Sequence, residues 1–139
     1  MHIAQTPLSN RLSDAKITRI ETIPLKVKLA RAATGSNLKL THRCTILTRI
    51  HTDAGVVGEC FNGNDDALQA DIINMIQNEM APLLIGHRVC AIDDAWALTR
   101  KATEPFIRDR RVALRAQACI DSAIHDAIGK LANVPLHIL

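Results

Sequence analysis

The sequence predicts an α+β fold: a three-stranded antiparallel meander followed by a bundle of about three helices. Two β-branched runs flank a turn at residues 53–55, which is a hairpin signal. After residue 64 the apolar residues change to a spacing of three and four, which is typical of amphipathic helices. Strands that precede helices in this way favour a sheet with the helices on one face.

The first strand is predicted over residues 17–29, since residues 17–23 are rich in β-branched residues. Leu25, Val27 and Leu29 then alternate with lysines, so we expect the apolar side chains to face inward and the lysines outward. Pro24 cannot donate to a ladder, which favours an edge strand or a kink. Residues 30–40 are predicted to form a mobile loop, and the second and third strands to cover residues 43–51 and 56–61.

Three helices are predicted to follow. The first begins after a capping Asn64 and ends at Pro82 and Gly86, the second covers residues 91–103, and the third covers residues 110–132 and closes at Asn133 and Pro135. Their predicted buried positions share helical spacing, and they are Leu68, Ile72, Met75, Ile76 and Met80, then Ile92, Ala95, Trp96 and Thr99, then Leu114, Ile120, Ile124, Ile128 and Leu131, with Ala116, Ala123 and Ala127 for close packing.

Length and composition exclude several classes of protein. The 139 residues suffice for one domain but not for a (β/α)₈ barrel, which needs about 250. A net charge of +3 and three aromatic residues give little reason to expect a nucleic-acid partner. We see no signal peptide and no apolar run long enough for a membrane span, so we expect a cytoplasmic protein with reduced cysteines and a flexible leader at residues 1–15.

The chemistry-bearing residues do not form a complete active site by spacing alone. His87 and Cys90 are only half of a zinc motif, so buried cysteines and a surface histidine are favoured over a metal site. Asp121 and His125 are read as a helix-surface hydrogen bond rather than a catalytic pair, and Asp126 with Lys130 as an ordinary i,i+4 ion pair. Gly55 and Gly58 lie between strands and do not form a phosphate loop.

A basic cluster lies around the junction of the second and third predicted helices. We favour a solvated helix junction or an intersubunit salt-bridge surface over DNA binding, because acidic residues interrupt the cluster and no reading helix follows. Its members are Arg100, Lys101, Arg108, Arg110, Arg111 and Arg115.

Two stretches of the chain, TILTRIHTDAGVVGEC at residues 45–60 and ALRAQACIDSAIHDAIGKLANVPLHIL at residues 113–139, resemble a known family. They are similar to the N-terminal domain of the mandelate racemase and muconate lactonizing enzyme family of the enolase superfamily, and the resemblance covers residues 16–139. Cys119 and Ile124 depart modestly from the family pattern. The residues that fall in step are Ala116, Ile120, Asp121, Ala123, Asp126, Gly129, Lys130, Pro135, Leu136 and Leu139.

The resemblance implies that residues 16–139 are a capping domain and that the C-terminal barrel is absent from this chain. It implies no catalytic residue and no metal ligand here, whereas a full-length enzyme would use Mg²⁺ to abstract a proton α to a carboxylate, as a racemase, dehydratase or cycloisomerase. Two loops, residues 30–40 and 60–64, would screen the substrate. The candidate loop residues are Thr34, Gly35, Ser36, Phe61 and Asn62, with core packing an equal alternative for Phe61.

The implied partners are the barrel domain, a small carboxylate and a second copy of the chain, with no membrane and no nucleic acid. The rival hypothesis is a non-enzymatic oligomerisation or interaction module, since a cap without its barrel would expose an apolar face. A nucleic-acid binder that uses the basic cluster is a third and weaker hypothesis.

Overall fold

The computed structural model describes residues 14–35, 39–62, 66–105 and 109–139. Three strands, β1 (Ile17–Thr34), β2 (Lys39–Thr52) and β3 (Val57–Asn62), form an antiparallel sheet in the order β1-β2-β3. The predicted turn between β2 and β3 is confirmed, because Gly55 adopts a φ of 77° and the Thr52 hydroxyl donates to the Val56 carbonyl at 2.9 Å. β1 lies at a sheet edge, as Pro24 indicates.

The predicted mobile loop over residues 30–40 is wrong for most of its length. β1 continues to Thr34 and β2 begins at Lys39, so the two strands form a long hairpin with a register shift between Lys28 and Ala33. A ladder needs only backbone hydrogen bonds, and these can continue where the side chains lie in solvent. Residues 36–38 lie outside the described part of the chain.

The expectation that β1 buries Leu25 and Val27 is also wrong. Both side chains are exposed, on the sheet face away from the helices, whereas Lys26 lies on the helix side. Apolar residues and lysines do alternate along β1, but no other described element packs on the sheet face that carries Leu25 and Val27. Period-two patterning therefore marks the two faces of a strand without deciding which face is buried.

The first predicted helix consists of three consecutive segments, α1 (Gln69–Met75), a π-helical turn (Ile76–Met80) and α2 (Ala81–Leu84). Pro82 does not end it but lies in the first turn of α2. The wide π turn before Pro82 accommodates a ring that would clash with the preceding turn in a regular helix. Gly86, with a φ of 87°, lies just beyond the helix end, two residues after Leu84, and Asn64 lies outside the described residues.

The two remaining helices, α3 (Ile92–Thr103) and α4 (Arg110–Ala132), agree with the sequence prediction, and a short 3₁₀ turn (Leu136–Ile138) follows. Asn133 caps α4 in the left-handed conformation, with a φ of 56°. Of the predicted leader, Asp14 and Ala15 are described, and Ala15 is buried with its carbonyl accepting from the Val89 N–H. None of the described helices is long and apolar enough to cross a membrane.

The core lies between the sheet and the layer formed by α1, the π turn and α4. It is built from aliphatic side chains of the sheet, of α1 with the π turn, and of α4. The alanines of α4 let this helix lie close to β3. Its fully buried large members include Ile17, Ile46, Ile50, Ile72, Met75, Ile76, Met80 and Ile120. Leu114 is the exception to the predicted α4 stripe: it is 50% exposed, because α3 leaves this end of α4 partly open.

Thr48 is a polar residue inside this core. Its hydroxyl is fully buried, and its polar neighbour in the described part of the chain is the Cys119 thiol, a weak hydrogen-bonding group that does not satisfy it. An unsatisfied buried hydroxyl costs free energy, so we expect Thr48→Val to raise the free energy of unfolding by about 1 kcal/mol in chemical denaturation. Thr52→Val is the matched control, because the Thr52 hydroxyl both donates to and accepts from Val56, and this variant should be destabilised. Equal effects of the two variants would contradict this prediction.

Asp109 caps the start of α4, where its carboxylate accepts from the Arg111 N–H at 2.8 Å and pairs with the Arg111 guanidinium. These bonds lower the pKa of Asp109 below its ordinary value of 3.8. The stabilisation is therefore complete above that value and is lost as the pH falls through the lowered pKa of the folded state. We expect Tm to fall on acidification below about pH 4, and to fall less steeply in Asp109→Asn, which keeps a capping oxygen but does not titrate. Parallel Tm curves from pH 7 to 2.5 would contradict this.

Candidate functional site

The candidate substrate-loop residues occupy two places on the sheet. Thr34 and Gly35 are exposed at the tip of the β1–β2 hairpin, and Ser36 lies outside the described residues. Phe61 and Asn62 end β3. Thr34 pairs with Lys39 whereas Phe61 pairs with Leu47, so the two groups are eight positions apart along β2, or up to about 26 Å of extended strand. The structure does not bring them into one cluster.

Phe61 is 67% exposed, which excludes the core-packing alternative for this side chain. It lies on the sheet face away from the helices, in the same cross-strand row as Leu47 and Ile23. Leu25 and Val27 extend the apolar surface along β1 towards the hairpin tip. A strip of apolar side chains therefore runs from Phe61 onto the hairpin, where it could line an apolar wall against a ligand or a second domain.

Asn62 is half-buried on the opposite, helix-facing side of the sheet, since it pairs with the buried Ile46, and its carbonyl accepts a hydrogen bond from the Thr45 hydroxyl at 3.2 Å. The Gln69 side chain, in the first turn of α1, donates to the Thr45 carbonyl at 2.9 Å. These bonds fix the end of β3 relative to the start of the helical layer, so Asn62 lies on a rigid support.

An ion pair joins the hairpin to the segment that follows β3. Lys26 on β1 donates to both carboxylate oxygens of Asp66, at 2.9 and 2.7 Å. This bond is the main reason that the pKa of Asp66 is lowered and the pKa of Lys26 is raised. The pair was not predicted from the sequence, since the two residues are far apart in the chain and read individually as a solvent-facing lysine and a helix-start acid.

A second charged cluster fastens β3 to α4. The Asp126 carboxylate accepts from the Glu59 N–H at 2.7 Å and from the Lys130 ammonium at 2.7 Å. Lys130 also donates to the Val57 carbonyl at 2.9 Å. The predicted i,i+4 pair is therefore confirmed, and it also supplies polar contacts to the backbone of the neighbouring strand.

Gly58 lies at the centre of this strand–helix contact. A Cβ built on Gly58 would meet Ala127, with its Cβ and N at 2.6 Å, and would come closer still to the Ala123 carbonyl oxygen. The glycine and the small α4 residues thus set the distance between β3 and α4. The second glycine of the D-A-G-V-V-G-E stretch serves packing, and this agrees with the absence of a phosphate-loop pattern.

The remaining reactive side chains are held in structural roles. None of the four cysteines forms a disulfide; burial raises the pKa of the Cys60 thiol, and it raises the pKa of the Cys119 thiol to about 12. The His125 ring bonds the Asp121 carbonyl oxygen at 2.8 Å, which is the helix-surface bond predicted. Within the described residues, no three His, Cys, Asp or Glu side chains lie close enough to hold a metal ion.

Two members of the basic cluster, Arg100 and Arg110, line a cleft between α3 and the start of α4, together with Trp96, Glu104, Leu114 and Gln117. Arg100 stacks on the Trp96 ring at 5.1 Å and pairs with Glu104 at 3.4 Å. Arg108 is outside the described residues. Trp96 is 45% exposed although helical spacing predicts it to be buried.

Comparisons with known proteins agree with the fold. The model of the "Mandelate racemase / muconate lactonizing enzyme, N-terminal domain" family matches residues 19–139. Among curated relatives, the D-galactonate dehydratase of Verminephrobacter eiseniae is 34% identical over 94 residues, which are 66% of this chain and 23% of the relative. The D-mannonate dehydratase of Novosphingobium aromaticivorans is 31% identical over 97 residues, 68% of this chain and 23% of the relative.

Among solved structures, a mandelate racemase/muconate lactonizing enzyme is 46% identical with a TM-score of 0.84, over 87% of this chain and 33% of that one. Another, from a marine actinobacterium and in complex with magnesium, is 43% identical with a TM-score of 0.74, over 87% of this chain and 31% of that one. The matched part of the chain thus spans 23–33% of the length of these proteins. It belongs to the mandelate racemase/muconate lactonizing enzyme family, and what it contains is the family's N-terminal domain.

Proposed function

We propose that this domain is the cap of an enzyme that removes a proton α to a carboxylate, and that it shapes the substrate pocket and excludes water from it. The observation that carries the proposal is the family match over residues 19–139, together with an exposed apolar strip that ends at Phe61. A rigid sheet that presents exposed loop ends is suited to closing over a reaction site.

Dehydration of an acid sugar is the reaction that the relatives favour. Two curated relatives are named for dehydration of D-galactonate and D-mannonate. In such a reaction the α-proton leaves, the hydroxyl on the next carbon departs as water, and the resulting enol becomes a 2-keto-3-deoxy acid. Racemisation and cycloisomerisation begin with the same proton abstraction and remain the alternatives within the family.

Magnesium in the full-length enzyme would bind outside this domain. The described residues offer no carboxylate cluster that fits the ion, which prefers several oxygen ligands in an octahedral arrangement. The cap's own part is therefore to bind, orient and shield, and the ions and the bases would lie in the barrel. We accordingly propose that the 139-residue chain has no activity by itself.

The capping proposal is tested by supplying the barrel. The chain alone, and the chain fused through Leu139 to the barrel of the D-galactonate dehydratase relative, are assayed with Mg²⁺ and D-galactonate or D-mannonate for keto-acid formation. We expect no turnover by the chain alone and more turnover by the fusion than by the barrel alone. Turnover by the isolated chain would contradict the proposal.

A loop variant in the same fusion tests the role of Phe61. Phe61→Ala removes an exposed ring at the edge of the proposed pocket, so we expect KM to rise about tenfold while Tm is unchanged, since little buried area is lost on the cap itself. Leu83→Ala, another exposed apolar residue but on α2, is the control and should leave KM unchanged. A KM for Phe61→Ala equal to that of Leu83→Ala would remove Phe61 from the site.

The rival function is a non-enzymatic module that acts by self-association, and we also propose that the chain forms homo-oligomers. The half-exposed Trp96 and Leu114 favour this, because large apolar side chains grouped on one surface are typical of contacts. Four cysteines without a disulfide support a reducing compartment, for which we propose the cytoplasm. Light scattering after size exclusion tests self-association, and a monomer at all concentrations would contradict it.

A further inference from the structure

The outer face of α3 carries charges at both of its ends. Asp93 and Asp94 lie in its first turn, Arg100 and Lys101 in its last turn, and all four side chains are exposed. Among the described residues, Arg100 pairs with Glu104, whereas Asp93, Asp94 and Lys101 have no ion pair. The helix dipole favours acids at the start and bases at the end, but it does not account for the half-exposed Trp96 between them.

The spacing of these charges is self-complementary. Asp93 and Arg100 are seven residues apart, as are Asp94 and Lys101, so each pair lies on one flank of the exposed face, two turns apart. The four charges as a set are centred on the exposed Ala97, because the midpoint of one pair lies half a residue before it and that of the other half a residue after it. In an antiparallel pair of α3 helices related by a two-fold axis at Ala97, each acid therefore lies opposite the base of its own flank in the other copy.

We infer that α3 is a self-association surface that takes a second copy of this chain in an antiparallel, isologous contact. Asp93 of each copy pairs with Arg100 of the other and Asp94 with Lys101, which gives four ion pairs around the axis. Ala97 is small enough to let the helices approach closely, and the Trp96 side chains of the two copies lie near one another on one flank. The inference rests on the self-association proposed above and is independent of the capping role.

Arg100 can serve both its own copy and the other. Its contacts within the chain are the Trp96 ring and Glu104 at 3.4 Å, and a guanidinium has five N–H donors, so an additional carboxylate can be accommodated. A contact of one 12-residue helix is smaller than a standard dimer interface, so we expect a Kd of roughly micromolar order. The ion pairs are at the surface, so raising the salt from about 0.05 to 0.5 M should weaken the dimer about tenfold.

The test uses sedimentation of the 139-residue chain and a charge-swap design. One variant carries Asp93→Arg and Asp94→Lys, the other Arg100→Asp and Lys101→Asp. Each alone faces only like charges in the antiparallel contact and should be monomeric. An equimolar mixture restores all four attractive pairs and should form a heterodimer with a Kd within a few fold of the unmodified chain. Circular dichroism and Tm verify that both variants are folded.

An oxidation experiment checks the axis without changing any charge. Ala97→Cys places a thiol beside its copy, so mild oxidation should give a disulfide-linked dimer in high yield, whereas Ala70→Cys, exposed on α1, should give no more than the unmodified chain.

Three outcomes are distinguishable. Recovery of the dimer in the mixture, with the Ala97→Cys cross-link, supports the α3 surface. A chain that self-associates regardless of the charge variants and without that cross-link overturns the α3 surface but leaves self-association in place. A chain that is monomeric up to about 100 μM at low salt overturns both.

Discussion

Gly58→Ala is expected to be the most destabilising single substitution at the interface between β3 and α4. The added methyl group would overlap the Ala123 carbonyl and lie 2.6 Å from Ala127, so β3 must move away from α4. Overpacking of a tight contact costs about 3 kcal/mol at its upper end, and backbone atoms on both sides cannot give way as a flexible side chain can. Chemical denaturation should show this loss, with Tm lower by roughly 10 °C.

The control for Gly58→Ala is Gly35→Ala. A Cβ at Gly35 meets no atom within 4 Å, and the residue lies at the exposed end of the hairpin. Its free energy of unfolding should change by less than about 0.5 kcal/mol. If both variants were equally stable, the close approach of β3 and α4 would not be a determinant of the fold.

Asp126→Ala is expected to have the second largest effect, a loss of about 2 kcal/mol, because it removes the acceptor for the Glu59 N–H and for the Lys130 ammonium together. Hydrogen exchange should quicken first at the Glu59 amide, which loses its partner. The local change at β3 should therefore appear even where the global loss is small.

Asp121→Ala provides a matched comparison on the same helix. Its carboxylate is more exposed than that of Asp126 and contacts only the His125 ring, at 3.7 Å, among the ion pairs of the described residues. We expect its free energy of unfolding to change by no more than about 0.5 kcal/mol. Similar losses for the two variants would mean that helix composition, rather than the tie to β3, explains the Asp126 effect.

The residues of the proposed cap function and those that determine stability lie on different parts of the domain. Gly58 and Asp126 act at the interface of β3 with α4, whereas Phe61 and the hairpin project from the sheet with little cover. Within the described part of the chain, the Lys26–Asp66 ion pair links the hairpin to the segment after β3. A rigid interface next to exposed loop ends lets the loops vary for specificity without loss of the fold.

Local sequence rules were sufficient to predict the helices whose ends carry clear charge and turn signals. α3 and α4 begin and end near the residues that charge and turn signals indicate, and Asn133 takes the left-handed conformation that a C-terminal cap requires. The same rules were wrong at Pro82, since a π turn upstream cannot be read from propensity. They were also wrong at Leu114, because its burial depends on whether α3 covers that end of α4.

In the candidate site, too, some features could be predicted from the sequence and others could not. Phe61 and Asn62 were predicted by their place in a motif, and the structure adds that Phe61 is exposed on the sheet face away from the helices. The Lys26–Asp66 pair was not predictable, because two exposed charges forty residues apart give no periodic signal.

The sequence by itself determined the order of elements, the α+β class and the family, because these depend on local periodicity and on residues that must recur at fixed spacing. Only the tertiary structure decided which face of β1 is buried, how far the hairpin extends, and why Gly58 must be a glycine. Burial and close approach depend on what a second element places against a residue, and that information lies in distant parts of the chain.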